Sequence, residues 1–529
     1  MKQKGARQTR AGAGSLQASL AEAVAAHGRG RLDLAEPIYR DILLRSPNHP
    51  DALHLLGLVA HQRGNQAEAV RLVEHALRVG PAKAAYANSL GLALLAQGQV
   101  AEAEAAFVRA TGLDPALPEA HNNLGNARTR AGDIAGAIAA YGRAIALKPA
   151  YAEAHANLAA ALRRSGDLAA AQAAAERALA LRPDYVGALC TLGLIRHEQG
   201  AYDAALETYD RALALDPNHA TTRANRATLL LLMGRMEEGW REYEWRWRVP
   251  GFTTRPRDFA KPAWDGSELD GRTILVHAEQ GLGSAIQFVR YVPILAARGG
   301  RVILECQPPL ARLFASLMPA PETIVRKGEP LPGFAVHAPL MSLPLLLATT
   351  LESIPATVPY LAADEELRSL WRERLAHVPR PRVGLVWAGN PNHGNDRNRS
   401  LPARLLAPLL AVAGVSFVDL QVGHAAAEAA ELPDGVLVSP GVIEDFADTA
   451  AIVAELDLVI SVDTAVAHLA GALAKPVWLL LPFVGEWRWL RERTDTPWYS
   501  TMRLFRQPSP ADWPSVIDAV GEALRERSW

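Results

Sequence analysis

Prolines at 47, 81, 115, 149, 183 and 217 and glycines at 64, 98, 132, 166, 200 and 234 recur on one 34-residue step. Two phased series of this kind allow very few folds. Proline ends one helix and presets the turn into the next, while glycine supplies the left-handed residue that closes the first helix of a pair. Between them, apolar residues keep helical spacing, as at Ala135, Ile138, Tyr141, Ala144 and Ile145. Gly57, Gly91, Gly125 and Gly193 share a further phase, marking where paired helices touch. The N-terminal half is therefore a stack of helix–turn–helix units.

This 34-residue unit resembles the tetratricopeptide repeat from about Ser15 to Trp247. The resemblance implies an all-α superhelix whose concave groove holds a peptide or protein. Asn123, Asn157 and Asn225 occupy one phase, shared with Ser89 and Thr191 and broken by Leu55. Carboxamides on an inner helix can donate to and accept from an extended peptide backbone, or simply solvate the inner face. The partial ladder is similar to that of the O-linked N-acetylglucosamine transferases, which implies that the repeats recruit an acceptor protein. His121 and His155 read as packing residues rather than metal ligands. The run Trp240, Tyr243, Trp245, Trp247 reads as an end cap that docks the superhelix onto the C-terminal half.

Lys+Arg of 55 against Asp+Glu of 56 removes the electrostatic case for a nucleic-acid binder. Two cysteines, Cys190 and Cys306, exclude a disulfide framework and a cysteine-rich zinc module. The most apolar stretch, Phe334 to Thr350, is broken by His337, Pro339 and Pro344 and reads as strand, loop and short helix rather than a membrane span. With no signal-like segment after the basic start, the expected location is cytoplasmic.

After Pro250 the period vanishes, and short β-branched runs alternate with helical stretches. Strands are expected at Thr273–Ala278, Arg301–Cys306, Glu322–Arg326, Val383–Trp387, Ser416–Gln421, Leu456–Ser461 and Val477–Leu481. Helices are expected at about Ala285–Ala297 and at Ala465–Leu473, with a charged helix within Ala362–Arg380. That alternation predicts α/β units with parallel sheets. The expected organisation is a disordered basic tail (1–14), the repeat array with its aromatic cap (15–249), and two Rossmann-like units (250–378 and 379–529).

The stretch DFADTAAIVAELDLVISVDTAVAHLAGALAKPVWLLLP, Asp445 to Pro482, resembles the heptosyltransferase-like glycosyltransferases, family 9-like with a GT-B fold. More narrowly it is similar to bacterial proteins that join such a domain to tetratricopeptide repeats. EQGLG and IQFVRYVP (Glu279 to Pro293), GNPNHGNDRNRSLP (Gly389 to Pro402) and the tail from Trp487 to Pro508 match the same group. The resemblance implies a nucleotide-sugar side in the second unit and an acceptor side in the first.

Residue chemistry fills in that outline. Asp463 and Thr464 end a strand and open a helix, where free N–H groups and the helix dipole can hold a diphosphate. Asp463 can bond a ribose or cap the helix, and His468 faces either the phosphates or the sheet. Gly389 and Asn390 end the unit's first strand, where a parallel sheet presents its ligand crevice. Arg399 and Ser400 are phosphate clamps, His393 and Asp396 share their loop, and Gln421 is placed to read a nucleobase edge. On the acceptor side, Gly281 and Gly283 allow close approach to a ligand. In the family the loop continues with an acidic general base, whereas Ser284 stands there in this chain. A serine hydroxyl accepts no proton near neutrality, which leaves Glu279 either as the catalytic substitute or as a buried structural group.

Two functions are open. One is an inverting glycosyltransferase moving a sugar from a nucleotide-sugar co-substrate to an acceptor hydroxyl, with no metal or other cofactor required and the repeats recruiting a protein or peptide. The alternative is a non-catalytic repeat adaptor with a degenerate glycosyltransferase-like domain. Ser284 favours the adaptor and the Asp463–Pro482 stretch the enzyme.

Overall fold

A computed structural model of the chain describes residues 16–252, 254–432, 437–439 and 441–527, so the expected tail over 1–14 lies outside the described residues. The chain divides into two compact units: residues up to Gln199 with Asp210–Asp216, and Gly200–Tyr209 with Pro217–Trp529.

The described residues of the first unit form helices joined by short turns, paired as in Pro118–Ala131 with Ile134–Leu147 and Ala152–Ser165 with Leu168–Leu181. The phased glycines all adopt the left-handed conformation, with φ of 81, 81, 87, 95, 78 and 79° at 64, 98, 132, 166, 200 and 234. At three of these turns the next residue starts the following helix: Asn65, Asp133 and Asp167 accept from the backbone N–H of Glu68, Gly136 and Ala170. One dipeptide thus ends one helix and begins another.

Helix pairs close on the second glycine phase. A Cβ added at Gly57 would lie 2.6 Å from Val73, at Gly91 2.6 Å from the Phe107 ring, and at Gly125 2.5 Å from the Tyr141 ring. Phe107 and Tyr141 are buried against these gaps. His121 and His155 each direct Nε2 to the carbonyl of the proline six residues earlier, at 3.0 Å. They tie the helix to its incoming turn, a packing role.

The second unit begins with the end of the helical series, Ala220–Leu232 and Met236–Tyr243, followed by a 3₁₀ turn at Glu244–Arg248. Beyond it lie two wholly parallel sheets. The first has strands β1 (Thr273–His277), β2 (Arg301–Cys306), β3 (Thr323–Arg326) and β4 (Val336–Pro339) in the order β3-β2-β1-β4. The second has β5 (Arg382–Val386), β6 (Ser416–Asp419), β7 (Leu437–Val438), β8 (Leu458–Val462), β9 (Val477–Leu481) and β10 (Met502–Arg506), in the order β10-β9-β8-β5-β6-β7. Strands β5, β8 and β9 are buried along their length, as a parallel sheet covered on both faces requires.

In each sheet the strand order reverses about its first strand, β1 or β5. Ligands of open α/β sheets bind beyond the carboxyl ends of strands at such a reversal. The expected helix Ala285–Ala297 starts earlier, at Leu282, and is interrupted by a 3₁₀ turn at Val289–Tyr291. Pro293 explains the break, because its ring excludes a continuous helix across the preceding turn. The apolar stretch from 334 to 350 forms β4 and two short helical turns, and no helix of the described residues is long and apolar enough to cross a membrane.

Residues of the last helical pair share one apolar core with the first sheet, including Leu231, Met236, Trp240, Ile274, Val276, Phe288 and Leu304. Trp240 meets Trp487 edge-on at 5.2 Å and Phe288 at 6.1 Å between ring centroids. These rings therefore dock the end cap onto the α/β region. Trp245 instead carries the guanidinium groups of Arg223 and Arg248 over its ring, at 4.7 and 4.6 Å.

Gly125→Val forces a branched side chain into the Tyr141 ring and should cost about 1–3 kcal/mol in urea unfolding. Gly142→Ala, where nothing lies within 4 Å, should stabilise the same helix pair by about 0.5–1 kcal/mol. Equal effects of the two variants would contradict this packing.

Candidate functional site

The carboxyl ends of β5 and β8 lie side by side because these strands pair in register, Val383 to Leu458 through Val386 to Ser461. Beyond β5 runs the loop carrying Gly389, Asn390, Arg399 and Ser400; beyond β8 lie Asp463 and Thr464. Arg399 joins the two, donating from Nη1 to the Asp463 carbonyl at 3.1 Å and from Nε to Asp396 Oδ1 at 3.3 Å. Ser400 Oγ accepts from the Gly389 N–H at 2.9 Å and donates to Asp396 Oδ1 at 2.9 Å. A Cβ at Gly389 would lie 2.6 Å from Arg399 Nη2 and 2.7 Å from Asp396 Oδ1, so a side chain there would displace this pair. Asn390 is exposed, its Oδ1 accepting from the Asn392 N–H at 3.0 Å.

The helix Ala465–Ala472 opens at Thr464, whose side chain makes no capping bond and shares a hydrogen bond with Ser461 Oγ at 3.0 Å. Asp463 is not the cap. Burial pushes its carboxyl up to about 6, Glu486 adding to the shift and Arg488 and Arg399 opposing it. The first turn of this helix thus presents N–H groups that no capping side chain accepts, beside an arginine. That arrangement suits an anion.

Gln421 and His468 occupy other roles than a ligand contact. Gln421 accepts at Oε1 from the Trp387 and Ala388 N–H groups, at 3.1 and 2.9 Å, and donates from Nε2 to the Ala388 and Val422 carbonyls, both at 3.1 Å. Its carboxamide is saturated by backbone and braces the β5 loop, leaving nothing to read a base edge. His468 is buried, directs Nδ1 to Tyr499 Oη at 2.9 Å, stacks on Trp489 at 5.2 Å and places Nε2 3.9 Å from Asp463 Oδ1. Burial holds its imidazole well below the usual range, hence neutral.

From the first sheet, the loop after β1 brings Gly281, Gly283 and Ser284 to this place. A Cβ at Gly283 would lie 3.0 Å from His468 Cδ2 and 3.4 Å from the Ala465 Cα, so the two helix starts abut. Ser284 Oγ accepts from Arg488 Nη2 at 2.9 Å; Arg488 also donates from Nε to Gln287 Oε1 at 2.5 Å and pairs with Glu486 through Nη1.

Glu279 is turned away from the loop it precedes. Its side chain has no exposed surface and is paired at 3.0 Å with Arg246 of the end cap, itself only 3% exposed. It also accepts from the Met341 N–H at 3.2 Å. Burial raises its carboxyl to about 7 against the pull of Arg246. Arg246 binds Glu244 and Ser342 as well, at 2.6 and 2.8 Å. Of the sequence's two alternatives for Glu279, this is the buried structural one.

In the repeats, Asn123 Nδ2 donates to Asn88 Oδ1 at 2.9 Å, and Asn157 Nδ2 donates to Asn122 and Asn126 at 3.0 and 3.1 Å. The carboxamides bridge successive repeats, and their own Oδ1 atoms take no part in these bonds. Asn225 lies on Ala220–Leu232, in the second compact unit. Arg488, Glu486 and Gln287 were not singled out from sequence. One signal was available for the first two: the loop after β9 must emerge on the same sheet edge as Asp463, because the sheet is parallel.

The architecture is thus a helical repeat array followed by a doubly wound α/β region. Family models described as "TPR repeat" match residues 91–132 and 125–166, and those described as "Tetratricopeptide repeat" match 20–87 and 157–220. The array is therefore made of tetratricopeptide repeats. Protein FlbA of Caulobacter vibrioides is 32% identical over 332 residues, a match covering 57% of this chain and 54% of that protein. The chain spans about half the length of this relative, and the match extends beyond the repeats, which occupy less than half of the chain. Among solved structures, a tetratricopeptide repeat protein from Parabacteroides merdae matches 44% of this chain and 91% of its own at 13% identity, with a TM-score of 0.38. The type IV pilus biogenesis factor PilW matches 40% and 97% at 20% identity and a TM-score of 0.37.

Two substitutions test these charges. Arg246→Ala leaves Glu279 buried without its cation and should cost about 3–5 kcal/mol in denaturant unfolding; a loss under about 1 kcal/mol would show that the pair is dispensable. Asp463 binds its proton more tightly folded than unfolded, so its ionisation opposes folding progressively between about pH 4 and 6. Asp463→Asn should therefore melt above the parent at pH 8, and the two should converge below pH 4. A variant melting lower at pH 8 would reverse that sign.

Proposed function

We propose that the α/β region binds a nucleotide sugar and transfers the sugar to an acceptor hydroxyl, while the tetratricopeptide repeats hold the protein or peptide that carries the acceptor. The carrying observation is the uncapped start of helix Ala465–Ala472 with Arg399 beside it, at the strand-order reversal of its sheet. A diphosphate matches it: two negative groups can take up the N–H donors of the first turn and the guanidinium together. Two parallel sheets with facing carboxyl edges support a GT-B-like pair, as do the Gly281–Ser284 loop opposite and the sequence resemblance. Gly389 and Asn390 then line the donor side, with Thr464 adding a hydroxyl and Ser400 holding the loop through Gly389 and Asp396. Arg399 and the N–H groups of the helix start would meet the charge of the leaving diphosphate, so the proposal calls for no metal.

The second reading, a non-catalytic adaptor, draws on Ser284 and Glu279. The one carries no basic group and is engaged by Arg488; the other is sealed against Arg246.

Titration calorimetry with UDP, GDP, ADP and CDP tests the reading. One nucleotide should bind, and Arg399→Ala should weaken it about 10–100-fold, the value of one charge-assisted bond. Binding of none of the four, or equal binding by the variant, would contradict it. Binding without sugar release from the matching donor would select the adaptor.

A further inference from the structure

Moving a glycosyl group onto a hydroxyl requires a group that takes the hydroxyl proton, and neither residue flanking the acceptor-side loop can do so: Ser284 is not basic, and Glu279 is sealed. The other carboxylates around the cleft differ in how far they are committed. The Asp396 and Asp463 side chains are only 16% and 12% exposed, and Asp396 Oδ1 already accepts from both Ser400 and Arg399. Glu486 is 34% exposed and stands on the loop after β9, on the same sheet edge.

What distinguishes Glu486 is its tie to the opposite loop. One guanidinium, that of Arg488, pairs through Nη1 with Glu486 Oε2 and donates through Nη2 to Ser284 Oγ at 2.9 Å. Arg488 is 7% exposed at its side chain and anchored through Nε on the fully buried Gln287. The carboxylate is thereby held one guanidinium's width from Ser284. Only Oε2 is committed to Arg488, which leaves Oε1 for a proton.

We propose that Glu486, contributed by the second sheet, is the general base that the acceptor-side loop lacks. The assignment rests on the transferase reading above. The acceptor hydroxyl oxygen forms its bond to the anomeric carbon while its proton passes to Glu486 Oε1. The bond from that carbon to the diphosphate oxygen breaks, and its electron pair leaves with the nucleoside diphosphate.

The full-length chain is assayed for nucleoside diphosphate release from UDP-N-acetylglucosamine, UDP-glucose, GDP-mannose and ADP-glucose, with cell extract as the acceptor source. Glu486→Gln should lower kcat about 10²–10⁴-fold, the typical contribution of a positioned base, while calorimetric affinity for the matching nucleoside diphosphate stays unchanged. Glu486→Ala should regain turnover as formate, a small external base, is added. Turnover by Glu486→Gln within about tenfold of the parent, below that range, would overturn the assignment. So would loss of nucleotide binding with turnover, or a Glu486→Ala chain that formate does not revive. If the parent chain releases nothing from any donor, the transferase reading itself fails and the base assignment falls with it.

Discussion

The α/β region depends on one close approach, that of Gly283 to the start of helix Ala465–Ala472. A Cβ there would lie 3.0 Å from the His468 ring and 3.4 Å from the Ala465 backbone, so a side chain would need these neighbours to give way. The bare glycine lets a loop of the first sheet lie this close to a helix start of the second without that shift. Ser284 then reaches Arg488, and Arg488 reaches Glu486. The loop on the other side is set from its own sheet, where Arg399 binds the Asp463 carbonyl and Gln421 braces the backbone of 387 and 388. Both edges are thus fixed by polar contacts that leave the first N–H groups of the helix uncapped.

Charge burial is the second constraint. Arg246, Arg290 and Arg488 are all nearly inaccessible, and each solves the desolvation problem differently. Arg246 has two carboxylates and a hydroxyl. Arg488 has one carboxylate, an amide and a hydroxyl. Arg290 bonds neutral groups, donating to the Trp498 and Pro355 carbonyls at 2.7 and 3.1 Å and lying over the Tyr360 and Tyr499 rings. Removing either side of such an arrangement strands a buried charge or donor, which costs more than the contact itself contributes. Arg246 belongs to the end cap and Glu279 to the loop after β1, so the cap is part of the α/β unit in energetic terms as well as in packing.

Much of this was legible in sequence because punctuation residues act locally. Glycines on a fixed step mark either a recurrent left-handed turn or a recurrent close helix contact, and the series at 64, 98, 132, 166, 200 and 234 is the first while Gly57, Gly91 and Gly125 are the second. Strands β2 and β9 were placed to the residue, since continuous apolar β-branched runs bounded by turns suit a buried parallel strand. Strands β7 and β10 were not anticipated; the first is two residues long and the second is interrupted by Arg503 and closed by Arg506. The side-chain fates of Gln421, His468 and Glu279 depend on partners 31 to 62 residues away. Local pattern is blind to such pairings. A glutamine at a strand end looks the same whether it meets a base or the neighbouring loop's backbone.

Hydrogen–deuterium exchange of the full chain, with and without a nucleoside diphosphate, most directly tests the claim that the start of helix Ala465–Ala472 and the loop after β5 form one anion site. Slowed exchange is expected of the amides at 464–467, together with those of 389–400. Protection elsewhere, with both of these segments unchanged, would contradict it.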